Sequence, residues 1–135
     1  MKCTRNNKKI GELGEITTVN YYLNKGYILL FKNWRWSNKG EIDVIAYNKE
    51  NDVLVICEVK TRRLDALIDG VYSVNKNKQN KIKLLASVFL QKYTMYKKSN
   101  IRFDVADLLY NIETDRIEKY KIIENSFWHI YIIEI

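Results

Sequence analysis

The sequence predicts an α/β domain in which helices pack against one mixed β-sheet. Three observations favour this class: the chain has 135 residues, 47% of them are hydrophobic, and helix-like and strand-like patterns alternate along it. A chain of this length buries a real core as one unit, and no internal repeat or linker divides it. We therefore expect a single domain over residues 1–135, with residues 128–135 as an apolar C-terminal extension.

Each predicted element is marked by its periodicity and by the turn residues beside it. Apolar residues at spacings of three and four predict helices, and short apolar runs bounded by polar turns predict strands. The order is helix, three strands, helix and two strands. The predicted ranges are a helix at 8–25, strands at 27–36, 41–47 and 53–61, a loop at 62–70, a helix at 75–96, and strands at 101–109 and 116–123.

The charge of the chain is strongly positive and unevenly distributed. The formal net charge is +7 at pH 7, which fits nucleic acid, an anionic membrane or an acidic protein as the partner. Residues 60–102 contain eleven Lys and Arg against two acids, whereas acids outnumber bases in residues 103–135. This concentration of positive charge in the middle of the chain predicts a footprint for a polyanion such as nucleic acid.

The cysteines and the apolar runs predict a cytoplasmic protein that does not enter a membrane. Cys3 and Cys57 have neither metal-ligand spacing nor the pattern of a disulfide framework, so a reducing compartment fits best. No apolar run approaches the length needed to span a bilayer. The N-terminus lacks the apolar core of a signal peptide.

Two charged residues stand at the end of the most hydrophobic run of the chain. Residues 53–57 are apolar, and Glu58 and Lys60 follow at alternate positions, so their side chains share one face of a strand. With a five-residue turn at 48–52, one register of the hairpin places Asp43 directly opposite Glu58. Side chains in that relation have Cβ atoms roughly 4.5–5.5 Å apart, which is close enough for the two carboxylates to share one cation.

The opposed carboxylates repel each other unless a positive charge offsets them. Lys60 is one candidate, and then the group is a salt-bridge cluster at a strand end. A Mg²⁺ ion, held by Asp43, Glu58 and the carbonyl of Val59, is the other, and then Lys60 is available to orient a water or stabilise charge on a phosphate. Glu15 favours the metal, because a carboxylate on the sheet-facing side of the first helix is costly unless it is paired or ligates a cation.

Two further sets of residues fit contact with a nucleic-acid backbone. Gly11 and Gly14 each cost the first helix about 1 kcal/mol relative to Ala, which indicates that a neighbouring strand or a phosphate strand approaches closely. The other set is basic and serves either as ordinary solubilising charge or as contacts to phosphate. It comprises Arg35, Arg62, Arg63, Lys78 and Lys81.

Several segments together resemble the YraN-type family of bacterial proteins, which is similar to the nucleases of the PD-(D/E)xK superfamily. The matching segments run in order from about residue 8 to residue 127. They include an Asp in one strand and a Glu-x-Lys in the next, preceded by a glutamate in a helix. The segments are GELGE (11–15), NWR (33–35), GEIDVIA (40–46), VICEVKTR (55–62), KNKQNKIKLLA (76–86) and RFDV (102–105).

This resemblance implies a restriction-endonuclease-like core and Mg²⁺-dependent cleavage of phosphodiester bonds in DNA, with Mn²⁺ as a substitute metal. It places Glu15, Asp43 and Glu58 at the acidic ligand positions and Lys60 at the catalytic lysine, whereas Ile42 stands where the superfamily has a proline. Similarity to Holliday-junction resolvases implies branched DNA as substrate and a homodimer. Two alternatives remain: a nucleic-acid-binding module that retains the fold without cutting, and a structural partner of an acidic protein.

Overall fold

A computed structural model describes residues 6–65 and 72–127 and confirms the predicted α/β class. The elements follow the predicted order, with one short 3₁₀ turn added at Thr94–Tyr96. The helices are α1 (Asn7–Asn24) and α2 (Lys76–Lys92), and the strands are β1 (Ile28–Arg35), β2 (Glu41–Asn48), β3 (Val53–Arg63), β4 (Asn100–Asn111) and β5 (Arg116–Ile123).

The five strands form one mixed sheet in the order β1-β2-β3-β4-β5. Neighbouring strands are antiparallel except β3 and β4, which are parallel. A parallel pair needs a long crossover connection, and α2 lies within it. The sheet with its flanking helices is consistent with a restriction-endonuclease-like core.

The sheet carries a separate hydrophobic core on each face. On one face, side chains of α2 such as Phe89 pack against Ile56 and Phe103. On the other face, Tyr22 of α1 packs against Val55 and Leu108. Because strand residues alternate between the two faces, β3 is buried continuously from Leu54 to Glu58.

The face that α1 turns to the sheet is rotated relative to the predicted stripe, which spacings of three and four place at Gly11, Glu15, Thr18, Val19, Tyr22 and Leu23. Its buried residues lie at intervals of four, at Ile10, Gly14, Thr18 and Tyr22. Leu23, which was predicted to face the sheet, is 48% exposed. The buried line instead begins with Ile10, one residue before the predicted Gly11, because the close contact with β3 is made at Gly14.

Three predicted elements have boundaries that differ from the structure by one to four residues. The strand β3 runs to Arg63 rather than 61, since its pairing with β4 continues to Arg63↔Tyr110. The helix α2 ends at Lys92 rather than 96, and the strand β4 covers Asn100–Asn111 rather than 101–109. The predicted apolar extension at 128–135 lies outside the described residues. Within 6–65 and 72–127, neither helix has the length and hydropathy of a membrane span.

Candidate metal-dependent active site

The strands β2 and β3 part from each other at the two predicted carboxylates. Their pairing runs from Asn48↔Val53 to Val44↔Cys57, and the same offset continued by one residue places Asp43 opposite Glu58. At this point a side chain takes the place of a backbone acceptor between the two strands. Oδ2 of Asp43 accepts a hydrogen bond from the N–H of Val59 at 2.8 Å. Of the registers that the turn allows, the structure has the one that places Asp43 opposite Glu58, and the two carboxylates lie at the opening between the strands.

Both carboxylates are removed from water although they lie side by side. Asp43 is 9% exposed and Glu58 is 8% exposed. Burial and the neighbouring charge of Glu58 raise the pKa of Asp43 to about 7. Burial also raises the pKa of Glu58, against the opposing effects of Lys78 and of a hydrogen bond with Asp43. The pair therefore holds a proton more strongly than isolated carboxylates do, because burial outweighs the stabilising charge of Lys78.

Two lysines approach this pair from different elements. The ammonium of Lys78, in the first turn of α2, lies 3.6 Å from Oε1 of Glu58, and its side chain is 46% exposed. Lys60, two residues beyond Glu58 on the same face of β3, is exposed, and its Nζ lies 5.9 Å from the centroid of the Tyr72 ring. Lys78 thus forms an ion pair with Glu58, and Lys60 lies at the rim of the site.

Glu15 belongs to α1, and its carboxylate lies near enough to Asp43 for their charges to interact. Its side chain is 15% exposed and has two partners: Nδ2 of Asn33 lies 3.2 Å from Oε1, and Nζ of Lys32 lies 3.9 Å from it. Burial is the main cause that raises the pKa of Glu15, and the charge of Asp43 adds to it. The structure therefore places Glu15 near Asp43, although both of its partners here are residues of β1.

The donor set of this site fits one Mg²⁺ ion. Asp43 and Glu58 supply two buried carboxylates, and Mg²⁺ takes one or two carboxylates together with water and phosphate oxygens. In an extended strand the N–H and C=O of one residue point to the same side, so the carbonyl of Val59 faces the opening as its N–H does. Over residues 6–65 and 72–127, no three His, Cys, Asp or Glu side chains cluster closely enough to form a complete protein cage.

The arginines predicted to contact phosphate are held by carboxylates. Arg35 forms an ion pair with Glu41 at 3.1 Å, and Arg63 forms one with Asp65 at 2.7 Å, and both pairs lie at the surface. Arg62 is different because its guanidinium makes bonds of 3.0–3.3 Å to both oxygens of the 8% exposed carboxylate of Asp107.

The side chain of Lys81 lies along the backbone at Gly40, close enough that a Cβ there would meet its Cε at 2.7 Å. The structure thus places Lys81 beside the turn before β2, whereas Lys78 forms the ion pair with Glu58. The role of both lysines on nucleic acid stays a prediction.

Sequence reasoning missed Asp107 and Tyr72. Oδ2 of Asp107 accepts the backbone N–H of Tyr72 at 3.1 Å, so one carboxylate joins Arg62 to the segment that enters α2. Tyr72 in turn lies beside Lys60. A single acid inside the apolar run VADLL was the available signal for Asp107. Its partners are distant in sequence, so no local pattern identifies them.

Comparisons with known proteins place the whole site inside a shared sequence region. The model of the uncharacterised protein family UPF0102 matches residues 14–108. A UPF0102 protein of Dictyoglomus turgidum is 37% identical over 122 residues, which are 90% of this chain and 99% of that one. A UPF0102 protein of Clostridium botulinum strain Kyoto is 38% identical over 121 residues, or 90% of this chain and 95% of that one.

Proposed function

The chain belongs to the uncharacterised protein family UPF0102, and we propose that it is a metal-dependent endonuclease that hydrolyses phosphodiester bonds in DNA. The observation that carries this proposal is the buried pair Asp43 and Glu58 at the point where β2 and β3 part. Two adjacent buried carboxylates with raised pKa values are costly to keep in a fold. A divalent cation explains why they stand together.

We assign each residue of the site a role in hydrolysis according to its position. Asp43, Glu58 and the carbonyl of Val59 would hold Mg²⁺ or Mn²⁺, with Glu15 acting directly or through a water. The cation would supply Lewis-acid chemistry, since it neutralises phosphate charge and acidifies a bound water. Lys60, at the exposed rim, would orient the attacking water and stabilise charge on the phosphorus. Lys78 would exchange its ion pair with Glu58 for a substrate phosphate when the cation enters.

Charge supports nucleic acid as the substrate. The basic stretch at 60–102 includes the ends of both elements that border the carboxylates, β3 and α2. Surface ion pairs such as Arg35 with Glu41 contribute little, so phosphate can replace the carboxylate at low energetic cost. We propose DNA, including branched DNA, and a homodimer where two strands are cut symmetrically.

A cleavage assay tests this function. Linear, single-stranded and four-way-branched DNA are incubated with the protein in Mg²⁺, in Mn²⁺ and in EDTA. We expect cutting that requires the metal and falls at least about 100-fold in Asp43→Asn and in Lys60→Met. A matched control is Lys49→Met, which removes an exposed lysine in the turn after β2.

Two results would contradict the endonuclease assignment. If wild type binds every DNA in a salt-dependent manner but cuts none of them, the non-cutting binding module is the better account. If DNA does not bind even at low salt, a structural role with an acidic protein partner replaces both. Equal cutting by wild type and Asp43→Asn would remove the proposed site.

A further inference from the structure

Two charged side chains near the end of β3 lie on the face of the sheet that α2 covers. Ile56 belongs to the core under α2, and alternation along β3 places Glu58 and Lys60 on the same face. Lys60 lies opposite Asp107 in the parallel pairing of β3 with β4, and Asp107 shares this face because Val105 belongs to the same core. Lys60 and Asp107 are therefore neighbours on one face of the sheet.

The carboxylate of Asp107 fixes the segment that enters α2. It is 8% exposed, and the guanidinium of Arg62 donates to both of its oxygens. Oδ2 also accepts the N–H of Tyr72 at 3.1 Å. The backbone of Tyr72 is thus bound to β4 at a point three residues before Asn75, the N-cap residue of α2.

The ring of Tyr72 lies beside both Lys60 and the carboxylate pair. It is partly buried and packs against the core under α2. The Nζ atom of Lys60 lies over its face, 5.9 Å from the ring centroid, and an ammonium at this distance is attracted to an aromatic face. Burial is the main cause that raises the pKa of the Tyr72 hydroxyl, and the nearby charge of Glu58 is the next.

We propose that Tyr72 is a positioning residue for Lys60, whose ammonium its ring holds beside the Asp43–Glu58 pair. This inference rests on the proposed function and adds a residue to it. Lys60 is exposed, and a long lysine side chain loses much rotamer freedom when it is ordered. The ring favours the conformers in which the ammonium lies over it, by about twofold to fivefold at a surface and by more where DNA excludes water.

Two substitutions of Tyr72 separate its ring from its hydroxyl. Cleavage kinetics are measured in Mg²⁺ on whichever of the linear, single-stranded and four-way-branched DNAs wild type cuts fastest. Tyr72→Leu should lower kcat at least about fivefold and leave KM within about twofold, because the ring acts on Lys60 and not on DNA binding. Tyr72→Phe should retain most of kcat. In a Lys60→Met background, Tyr72→Leu should cause no further loss.

Tyr93→Leu is the matched control for the loss of a packed ring. Tyr93 packs against the same core at the other end of α2, and its ring centroid lies 5.8 Å from Nζ of Lys92. Both leucine variants should lower the melting temperature, since each loses a partly buried aromatic ring. Only Tyr72→Leu should lower kcat.

A second measurement requires no cleavage. In ¹H–¹³C NMR spectra, the Hε–Cε signal of Lys60 is identified by its absence in Lys60→Met. The ring current of Tyr72 should shift this signal in wild type, and Tyr72→Phe should keep the shift. Tyr72→Leu should move the signal to the position typical of an exposed lysine such as Lys49.

The results distinguish this role from the function on which it rests. If wild type cuts DNA but the Lys60 signal is the same in Tyr72→Leu, the positioning role is wrong while the endonuclease stands. The role is also wrong if Tyr72→Phe loses as much kcat as Tyr72→Leu, if the loss persists in the Lys60→Met background, or if Tyr93→Leu loses equally. If wild type cuts no DNA, the endonuclease is wrong and the role falls with it.

Discussion

Asp104 on β4 and the Asp43–Glu58 pair on β2 and β3 are all buried acids of one sheet, but the protein compensates them differently. Asp104 is 0% exposed and accepts bonds from the hydroxyl of Tyr22 at 2.6 Å and from two nitrogens of Arg102 at 2.9–3.0 Å. It also accepts the N–H of Asn125 at 3.0 Å. The fold thus supplies this carboxylate with its own cation and its own donors.

The Asp43–Glu58 pair is buried to a similar degree and receives much less. Among the described residues, the N–H of Val59 donates a hydrogen bond to Asp43, and the partly exposed ammonium of Lys78 lies 3.6 Å from Oε1 of Glu58. This difference is the reason why we assign a structural role to Asp104 and propose a functional role for the pair. Asp104 is satisfied by residues of the fold, whereas the described residues leave the Asp43–Glu58 pair short of positive charge, which the cation we propose would add.

The largest expected effect on stability follows from removing the carboxylate of Asp104. Asp104→Ala removes the partner of Arg102 and of Tyr22, so we expect the free energy of unfolding to fall by about 3–5 kcal/mol. Urea denaturation of both proteins at pH 7 measures it. Asp104→Asn, which keeps an acceptor, should lose less, and an unchanged midpoint for the alanine variant would contradict a structural role.

At Asp43, we expect a substitution to raise the free energy of unfolding when no metal is present, the opposite of its effect at Asp104. Because the pKa of Asp43 is raised from 3.8 to about 7, the folded state binds more protons than the unfolded state between these values. Stability attributable to Asp43 therefore falls as the pH rises through this window, and the loss is complete above it. Asp43→Asn removes the loss and should raise the free energy of unfolding at pH 8 by an amount on the order of 2 kcal/mol.

Denaturation in EDTA at several pH values from 4 to 8 tests this sign. The gain of Asp43→Asn should be small at the acid end and largest at pH 8. A variant that is less stable than wild type at pH 8 would show that the fold needs the Asp43 charge, and would remove the contrast with Asp104.

A smaller effect is expected at Lys78, whose ammonium lowers the pKa of both carboxylates. Lys78→Gln should reduce the stability of the metal-free protein at pH 8 by less than about 1 kcal/mol, since the side chain is largely solvated. It should also move the pH-dependent loss of stability to higher pH, as both carboxylates then hold their protons longer. Lys81→Gln is the matched control, because the side chain of Lys81 lies beside Gly40 and not in the ion pair with Glu58.

The sequence alone was sufficient where local patterns decide the structure. The length of one turn limited the hairpin to two registers, one of which places Asp43 opposite Glu58, and alternation put Glu58 and Lys60 on one face of their strand. It was insufficient where contacts are long-range. That Gly14 meets Thr61, that Asp107 joins Arg62 to the entry of α2, and that α1 is rotated relative to its predicted face all depend on packing between distant segments.

Calorimetric titration of Mn²⁺ or Mg²⁺ tests the central account most directly, with wild type, Asp43→Asn and Asp104→Asn compared near pH 6.5 in buffers of different ionisation enthalpy. We expect one bound cation per chain in wild type and no such binding in Asp43→Asn. Protons should be released on binding, because the cation displaces the proton held by the carboxylate pair. Asp104→Asn, if folded, should bind as wild type does. Absence of metal binding in wild type, or binding that persists in Asp43→Asn, would contradict the account.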